Sequence, residues 1–266
     1  IQPILNGEIM HKTQPADAFA GQSVLVTGGG TGIGQAVALA FAGHGAAVAV
    51  TGRRPGPLAA TVEQIEALGG KATAFPADLT DPAQAARLLR AVVDRHGRLD
   101  IAVNNAGINA LGLVADLDEA VWQQIVATNL TGVWLSMKHE IGQLRRTGGG
   151  VIVNVASTIG AHATLPGMGA YAATKAAVSA LTRTAAREYI AENIRVNAVS
   201  PGPVDTPMSR LPGESDAERA ERLANVLPIG RVGALEEVAS TILWLASPAA
   251  SFVVGHDLVL DGGATA

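Results

Sequence analysis

From residue 23 to residue 260, short and uniformly apolar runs alternate with longer stretches at helical spacing. Residues 24–27, 46–51, 72–77, 99–104, 151–155, 196–199 and 258–260 read as strands. Strands that lack polar alternation are buried on both faces, and a parallel sheet sandwiched between helices meets that demand. Between them, Leu58, Val62, Ile65 and Leu68 recur at spacings of four and three on one helix face, which Gly69-Gly70 then stops. Asp81-Pro82 opens another helix by the cap-then-proline rule, carrying Leu88, Leu89, Val92 and Val93. Further helices are expected over 35–43, unbroken from Asp118 toward Leu144, over 172–191 and over 235–246. Right-handed crossovers make this an α/β, Rossmann-type doubly wound fold: about seven parallel strands, helices on both faces, one domain over 21–266.

Composition narrows the function classes. The chain has 266 residues, is 48% hydrophobic and 16% charged, and so has ample material for a core. No apolar run reaches the roughly 18 residues of a membrane span, so a soluble protein is expected. A net charge of −4 without basic runs argues against nucleic acid and anionic membranes as partners. With no cysteine, disulfides, thiol catalysis and cysteine-built zinc sites are excluded. The six histidines are scattered without a ligand spacing, so no metal is expected. Residues 1–20 read as an N-terminal extension, in which 1–9 precede the first methionine, Met10, and are either native or foreign to the natural chain. No signal peptide is visible, and the expected location is cytoplasmic.

Thr27-Gly28-Gly29-Gly30-Thr31-Gly32-Ile33-Gly34 joins the first strand to the first helix. Residues without side chains let backbone N–H groups approach a pyrophosphate, and the helix N-terminus adds a favourable dipole. The spacing is G-xxx-G-x-G rather than G-x-G-x-x-G; taken alone it is also compatible with a plain tight turn. After the second strand, an acidic residue would bind the adenosine ribose hydroxyls and select NAD. Here Gly52 stands in that place, followed by Arg53 and Arg54. A guanidinium there can meet a 2′-phosphate, so NADP(H) is favoured over NAD(H); solvated loop arginines are the alternative.

Tyr171 and Lys175 lie four residues apart, on one helix face. A phenol with a pKa of about 10 is a poor base at neutral pH, and an adjacent cation is expected to lower that value. The pair could then exchange a proton with an alcohol or carbonyl oxygen. Ser157, at the end of the fifth strand, could donate to the same oxygen, although a strand-closing serine is common.

These motifs together resemble the short-chain dehydrogenase/reductase family. Thr27 to Gly34 is similar to its TGxxxGxG, Asn104-Asn105-Ala106-Gly107 to its NNAG, and Tyr171 to Lys175 to its YxxxK. Ser157 matches the family's serine, with a spacing to Tyr171 of 14 residues, one longer than typical. Asn129, in Thr128-Asn129-Leu130-Thr131-Gly132, resembles the asparagine that completes the tetrad. Asn197 to Gly202 and Asp261-Gly262-Gly263 also fall where the family has them, so the resemblance covers nearly the whole chain. It is nearest to the single-domain branch with 3-oxoacyl-carrier-protein reductases and glucose dehydrogenase-like members.

The resemblance implies an NAD(P)-dependent oxidoreductase moving a hydride between nicotinamide and a ketone or secondary alcohol. Tyr171 would be the general acid/base, Ser157 would orient the substrate oxygen, and Lys175 would hold the nicotinamide ribose and tune Tyr171. Asn129 would position a water that continues the proton relay. Gly28, Gly30, Thr31, Gly32, Ile33 and Gly34 would surround the pyrophosphate, and Asp78 and Leu79 would flank the adenine. Asn105, Ala106 and Gly107 would line the cofactor, with Pro201, Gly202, Val204 and Thr206 over the nicotinamide amide and phosphate. Asp78 can equally be a helix-initiating turn, and Asn105 to Gly107 a strand-end turn. Residues 203–228 would form a substrate lid, whose Met208, Leu211, Leu223, Val226 and Leu227 face substrate or form the inner face of a short helix; the helix face is favoured. Residues 160–169 would form the opposite wall, with His162 as a polar contact or, the favoured reading, a surface-loop residue. No arginine cluster is placed for a carboxylate or carrier phosphate. A homotetramer built on the apolar chain end is implied as well. The competing reading is a catalytically silent NADP(H)-binding protein, which usually lacks the tyrosine or lysine present here. Epimerases and dehydratases of the extended branch need a larger C-terminal domain than this chain has room for.

Overall fold

Every residue of the first strand, β1 (Ser23–Thr27), is buried, and its side chains divide between two cores. Val24 and Val26 join one cluster with Val37, Phe41 and Ile242; Leu25 joins another with Leu88, Val92 and Leu144. That division is the period-two alternation of a strand covered on both faces. The computed structural model describes residues 17–209, 213–224 and 227–266, so the expectations placed on 1–16, Leu211 and Val226 lie outside the described residues.

The chain continues through α1 (Gly32–Gly43), β2 (Ala47–Gly52), α2 (Pro55–Ala67), β3 (Lys71–Pro76), α3 (Pro82–His96) and β4 (Ile101–Asn104). Asp81 caps α3 as expected, its carboxylate accepting from Ala83 N at 2.8 Å and Gln84 N at 3.2 Å. Leu68 departs from its expected place. Helix α2 ends at Ala67, the chain turns away through Gly69, and Leu68 is left 79% exposed.

Asp118 begins α4 (Glu119–Val126), but the helix expected to run unbroken is interrupted. Ala127–Thr131 form a π-helical turn before α5 (Gly132–Thr147). Then follow β5 (Gly150–Val155), α6 (Thr158–Ala161), α7 (Gly169–Tyr189) and β6 (Ile194–Pro201). The last elements are α8 (Asp216–Ala224), α9 (Leu235–Ala246) and β7 (Asp257–Leu260).

All seven strands pair in parallel, in the order β3-β2-β1-β4-β5-β6-β7. Side chains of α1, α2 and α9 fill one core, and those of α3, α5 and α7 the other. The chain order reverses between β1 and β4, and in such sheets a crevice opens there at the carboxyl ends of the strands. No described helix is long and apolar enough to cross a membrane.

Candidate active site

The glycine turn leaves the end of β1 and borders that crevice. Gly28 has φ +66°, and a Cβ there would lie 2.8 Å from Asn105 Nδ2 and 2.9 Å from Ala106 Cα. Only a glycine fits so close to the opposite strand end. The Thr27 hydroxyl accepts from the N–H groups of Asn105 and Ala106, each at 3.0 Å. Asn105 Nδ2 donates back to Thr27 O at 3.1 Å and Gly28 O at 3.3 Å. Asn105 and Ala106 therefore hold the turn in shape from across the crevice, and Thr27 is a site residue whose partners sequence reasoning did not identify. Gly30 and Thr31 complete the turn; α1 then opens with Gly32, Ile33 and Gly34. Thr31 makes no side-chain capping bond and the first turn holds no acidic residue, so the helix amides face the crevice uncompensated. These features fit a dinucleotide pyrophosphate.

The remaining expected cofactor residues sit at the same sheet edge. Arg53 and Arg54 follow β2, exposed and without an ion-pair or hydrogen-bond partner among the described residues. Asp78 and Leu79 follow β3, where the Asp78 carboxylate accepts from Thr80 N at 2.9 Å and Thr80 Oγ1 at 2.8 Å, the geometry of a turn. Pro201 ends β6, with Gly202 beyond it, and Val204 pairs with Gly233. Thr206 reaches back over the glycine turn: a Cβ on Gly32 would lie 3.5 Å from Thr206 Cγ2.

Tyr171 and Lys175 lie in the first two turns of α7, both buried. Lys175 Nζ donates to Val155 O at 2.7 Å and stands 5.7 Å from the Tyr171 ring centroid. Ser157 lies two residues past β5 rather than in it. Its Oγ accepts from Ile159 N at 3.1 Å, capping the short turn α6 and leaving its own proton free to be donated. Gly160, at φ +140°, seats that turn on α7, since a Cβ would come 2.8 Å from Ala176 N and 2.9 Å from Ala172 O.

Burial governs the titration of the pair. It pushes the Tyr171 phenol above its usual value, opposed only in part by a hydrogen bond with the Ser157 hydroxyl. The same burial pulls the Lys175 ammonium down to about 8. The lowered tyrosine expected from an adjacent cation is thus not found, because desolvation outweighs the Ser157 hydrogen bond.

Asn129 occupies the π turn and is fully buried. Its carboxamide accepts from Ile108 N at 2.8 Å and donates to Ile108 O at 2.9 Å, which fixes the chain after Gly107. A Cβ on Gly107 would lie 3.4 Å from Asn129 Oδ1 and 3.6 Å from Lys175 Nζ, so the three expected residues meet. Asn129 Nδ2 also donates to Thr174 Oγ1 at 3.4 Å, and the carboxamide oxygen keeps a second lone pair.

Beneath the site lies a polar layer that helical periodicity does not reveal. Asn104 Nδ2 donates to Glu140 Oε2 at 2.9 Å and to Asn154 Oδ1 at 3.0 Å, and Asn154 Nδ2 donates to Thr182 Oγ1 at 2.9 Å. Glu140 is fully buried on α5, and desolvation raises its carboxyl from 4.5 to about 8. In the segment after β6, Arg219 donates to Asp205 Oδ1 at 2.7 Å and Ser209 Oγ at 2.6 Å. Leu223 on α8 is buried, as an inner helix face requires, and so is Leu227 beyond it, whereas Met208 is exposed.

Residues 28–265 match the family model described as Enoyl-(Acyl carrier protein) reductase. The chain is 39% identical over 243 residues to the 3-oxoacyl-[acyl-carrier-protein] reductase FabG of Thermotoga maritima, covering 91% of this chain and 97% of that protein. It is 42% identical over 256 residues to the cis-4-hydroxycyclohexanecarboxylate dehydrogenase of Sinomonas cyclohexanicum, covering 94% and 99%. A short-chain type dehydrogenase/reductase from Mycobacterium marinum superposes with a TM-score of 0.88 at 38% identity, covering 94% and 98% of the two chains. With its parallel sheet and glycine turn, the chain belongs to the short-chain dehydrogenase/reductase family, oxidoreductases that interconvert alcohols and carbonyls with a nicotinamide cofactor.

Proposed function

We propose that the protein reduces a small to medium ketone with NADPH, and oxidises the matching secondary alcohol in reverse, with Tyr171 as the acid/base. One observation carries this reading: the buried Tyr171 lies with Ser157 acting on its phenol and the Lys175 ammonium 5.7 Å from its ring, at the carboxyl edge of the sheet. When bound, the nicotinamide supplies or accepts the hydride. The Tyr171 phenol, kept protonated by burial, donates its proton to the carbonyl oxygen as negative charge develops on it. Ser157 donates a hydrogen bond to the same oxygen. Lys175 remains charged at neutral pH, with its pKa at about 8, and stabilises the phenolate left behind. Asn129 keeps Ile108, and with it the chain after Gly107, in place beside Lys175.

The cofactor choice rests on Arg53 and Arg54, exposed after β2 with no acidic partner among the described residues, where a 2′-phosphate would supply one. The described part of 203–228 serves as a lid, pinned by Arg219. Arg219 and Arg222 are paired with Asp205 and Glu214, which favours a substrate without a carrier phosphate. Trp244, Phe252 and Val254 leave an exposed apolar chain end that favours a homotetramer, and sedimentation should return four times the 27.0 kDa of one chain. A single-chain mass would remove that assembly.

The test is a fluorescence titration of the purified protein with NADPH and NADH at fixed salt, followed by cyclohexanone and acetoacetyl-coenzyme A as trial ketones. NADPH should bind at least about tenfold more tightly, the worth of one charge-assisted contact. Equal or tighter NADH binding removes the role given to Arg53. Binding of neither removes the enzyme reading.

A further inference from the structure

Asp257 opens β7 one layer below the site, with its side chain only 5% exposed. Three groups from three different elements converge on its carboxylate. His162 Nε2, from the turn that follows Ser157, lies 3.0 Å from Oδ2. The Ser179 hydroxyl donates to the same oxygen at 2.5 Å, from a position on α7 one turn after Lys175. The Ser200 hydroxyl donates to Oδ1 at 2.6 Å, from the residue before Pro201 on β6. A buried carboxylate without donors is costly, so each of these contacts is held firmly.

We infer that Asp257 is a positioning residue for the reaction, setting the mutual placement of Ser157, Lys175 and the Pro201 segment. The inference rests on the catalytic reading of Ser157, Tyr171 and Lys175. The α6 turn packs on α7 through Gly160, with no side chain between them. Thr158 Oγ1 ties it to the end of β6 by donating to Pro201 O at 3.3 Å, and the His162–Asp257 contact ties it to β7. The hub lies under β6 and β7, whereas the glycine turn and Asn105 lie at β1 and β4. Loosening the hub therefore moves the reacting groups and leaves the pyrophosphate cradle alone.

The experiment uses His162→Ala, His162→Gln and Asp257→Asn in the full chain, with NADPH and whichever of cyclohexanone and acetoacetyl-coenzyme A the wild type reduces. His162→Ala should lower kcat by about tenfold, and Asp257→Asn by about tenfold to 100-fold, as misplaced catalytic groups do. NADPH affinity should fall by much less than kcat, since the pyrophosphate cradle is untouched and only the nicotinamide end adjoins the hub. His162→Gln, which keeps an N–H donor at similar reach, should restore most of the rate. Hydrogen–deuterium exchange should rise over residues 158–163 in His162→Ala and not in His162→Gln. Unchanged kcat and exchange in His162→Ala overturn the inference, as does an equal loss of kcat and NADPH binding. If Asp257→Asn does not fold, the partly exposed His162 still decides. A wild type that reduces neither ketone fails the catalytic reading, and the exchange comparison still decides whether Asp257 holds the turn.

Discussion

Burial, more than charge pairing, sets the behaviour of individual residues in this protein. Tyr171 is raised and Lys175 lowered by the same cause, so each is pushed toward its neutral form. Glu140 shows the effect most clearly, with its carboxyl at about 8 in the fold and near its ordinary 4.5 when the chain is unfolded. Between those values the unfolded chain has released a proton that the folded one retains. Stability therefore falls as pH rises from about 4.5 to about 8, and levels off above. Glu140→Gln removes the titration while keeping the shape and the acceptor for Asn104. The variant's melting temperature relative to wild type should climb steadily from pH 5 to pH 8, by calorimetry in matched buffers. A difference that stays flat or shrinks over that range would mean that Glu140 is ionised in the fold. Sequence reasoning reaches Tyr171 and Lys175 because a phenol and an ammonium at helical spacing have an evident joint chemistry. It passes over Glu140, since a glutamate in a helix ordinarily marks the solvent face, and only the packed structure shows Asn104 turned toward it.

At the scale of elements, what the sequence reveals depends on how local the cause is. The cap at Asp81, the stop at Gly69 and the buried inner strands follow from a few adjacent residues, and the structure has them, whereas the edge strands β3 and β7 are only partly buried. The π turn over Ala127–Thr131 does not, because its cause is distant in sequence. Asn129 turns inward to bond Ile108, 21 residues earlier, and the apolar spacing of an α-helix continues on both sides of it. π turns of this kind often accompany functional sites, and here one delivers an expected site residue to the ground beside Lys175. The turn after β5 behaves similarly. Ser157 is legible as a residue at the strand end, yet its role as the cap of α6 and the seating of Gly160 on α7 appear only in three dimensions.

For the molecule as a whole, alternating apolar runs and helices suffice to give a parallel sheet covered on both faces, and seven strands are found. The strand order is not contained in periodicity; it arises as crossovers of one hand wind first to β3 and then back past β1 to β7. That reversal brings Gly28 and Asn105 face to face and ranges Ser157, Tyr171 and Lys175 along the same edge. One side of the crevice fits a dinucleotide, the other is proposed to exchange the proton, and the central claim is that both serve one reaction. The most direct test compares ketone reduction by wild type and Tyr171→Phe with saturating NADPH, beside a fluorescence titration of NADPH on each. The account predicts a kcat at least about 100-fold lower in the variant, with NADPH affinity within about twofold of wild type. A Tyr171→Phe protein that keeps the wild-type kcat would contradict it.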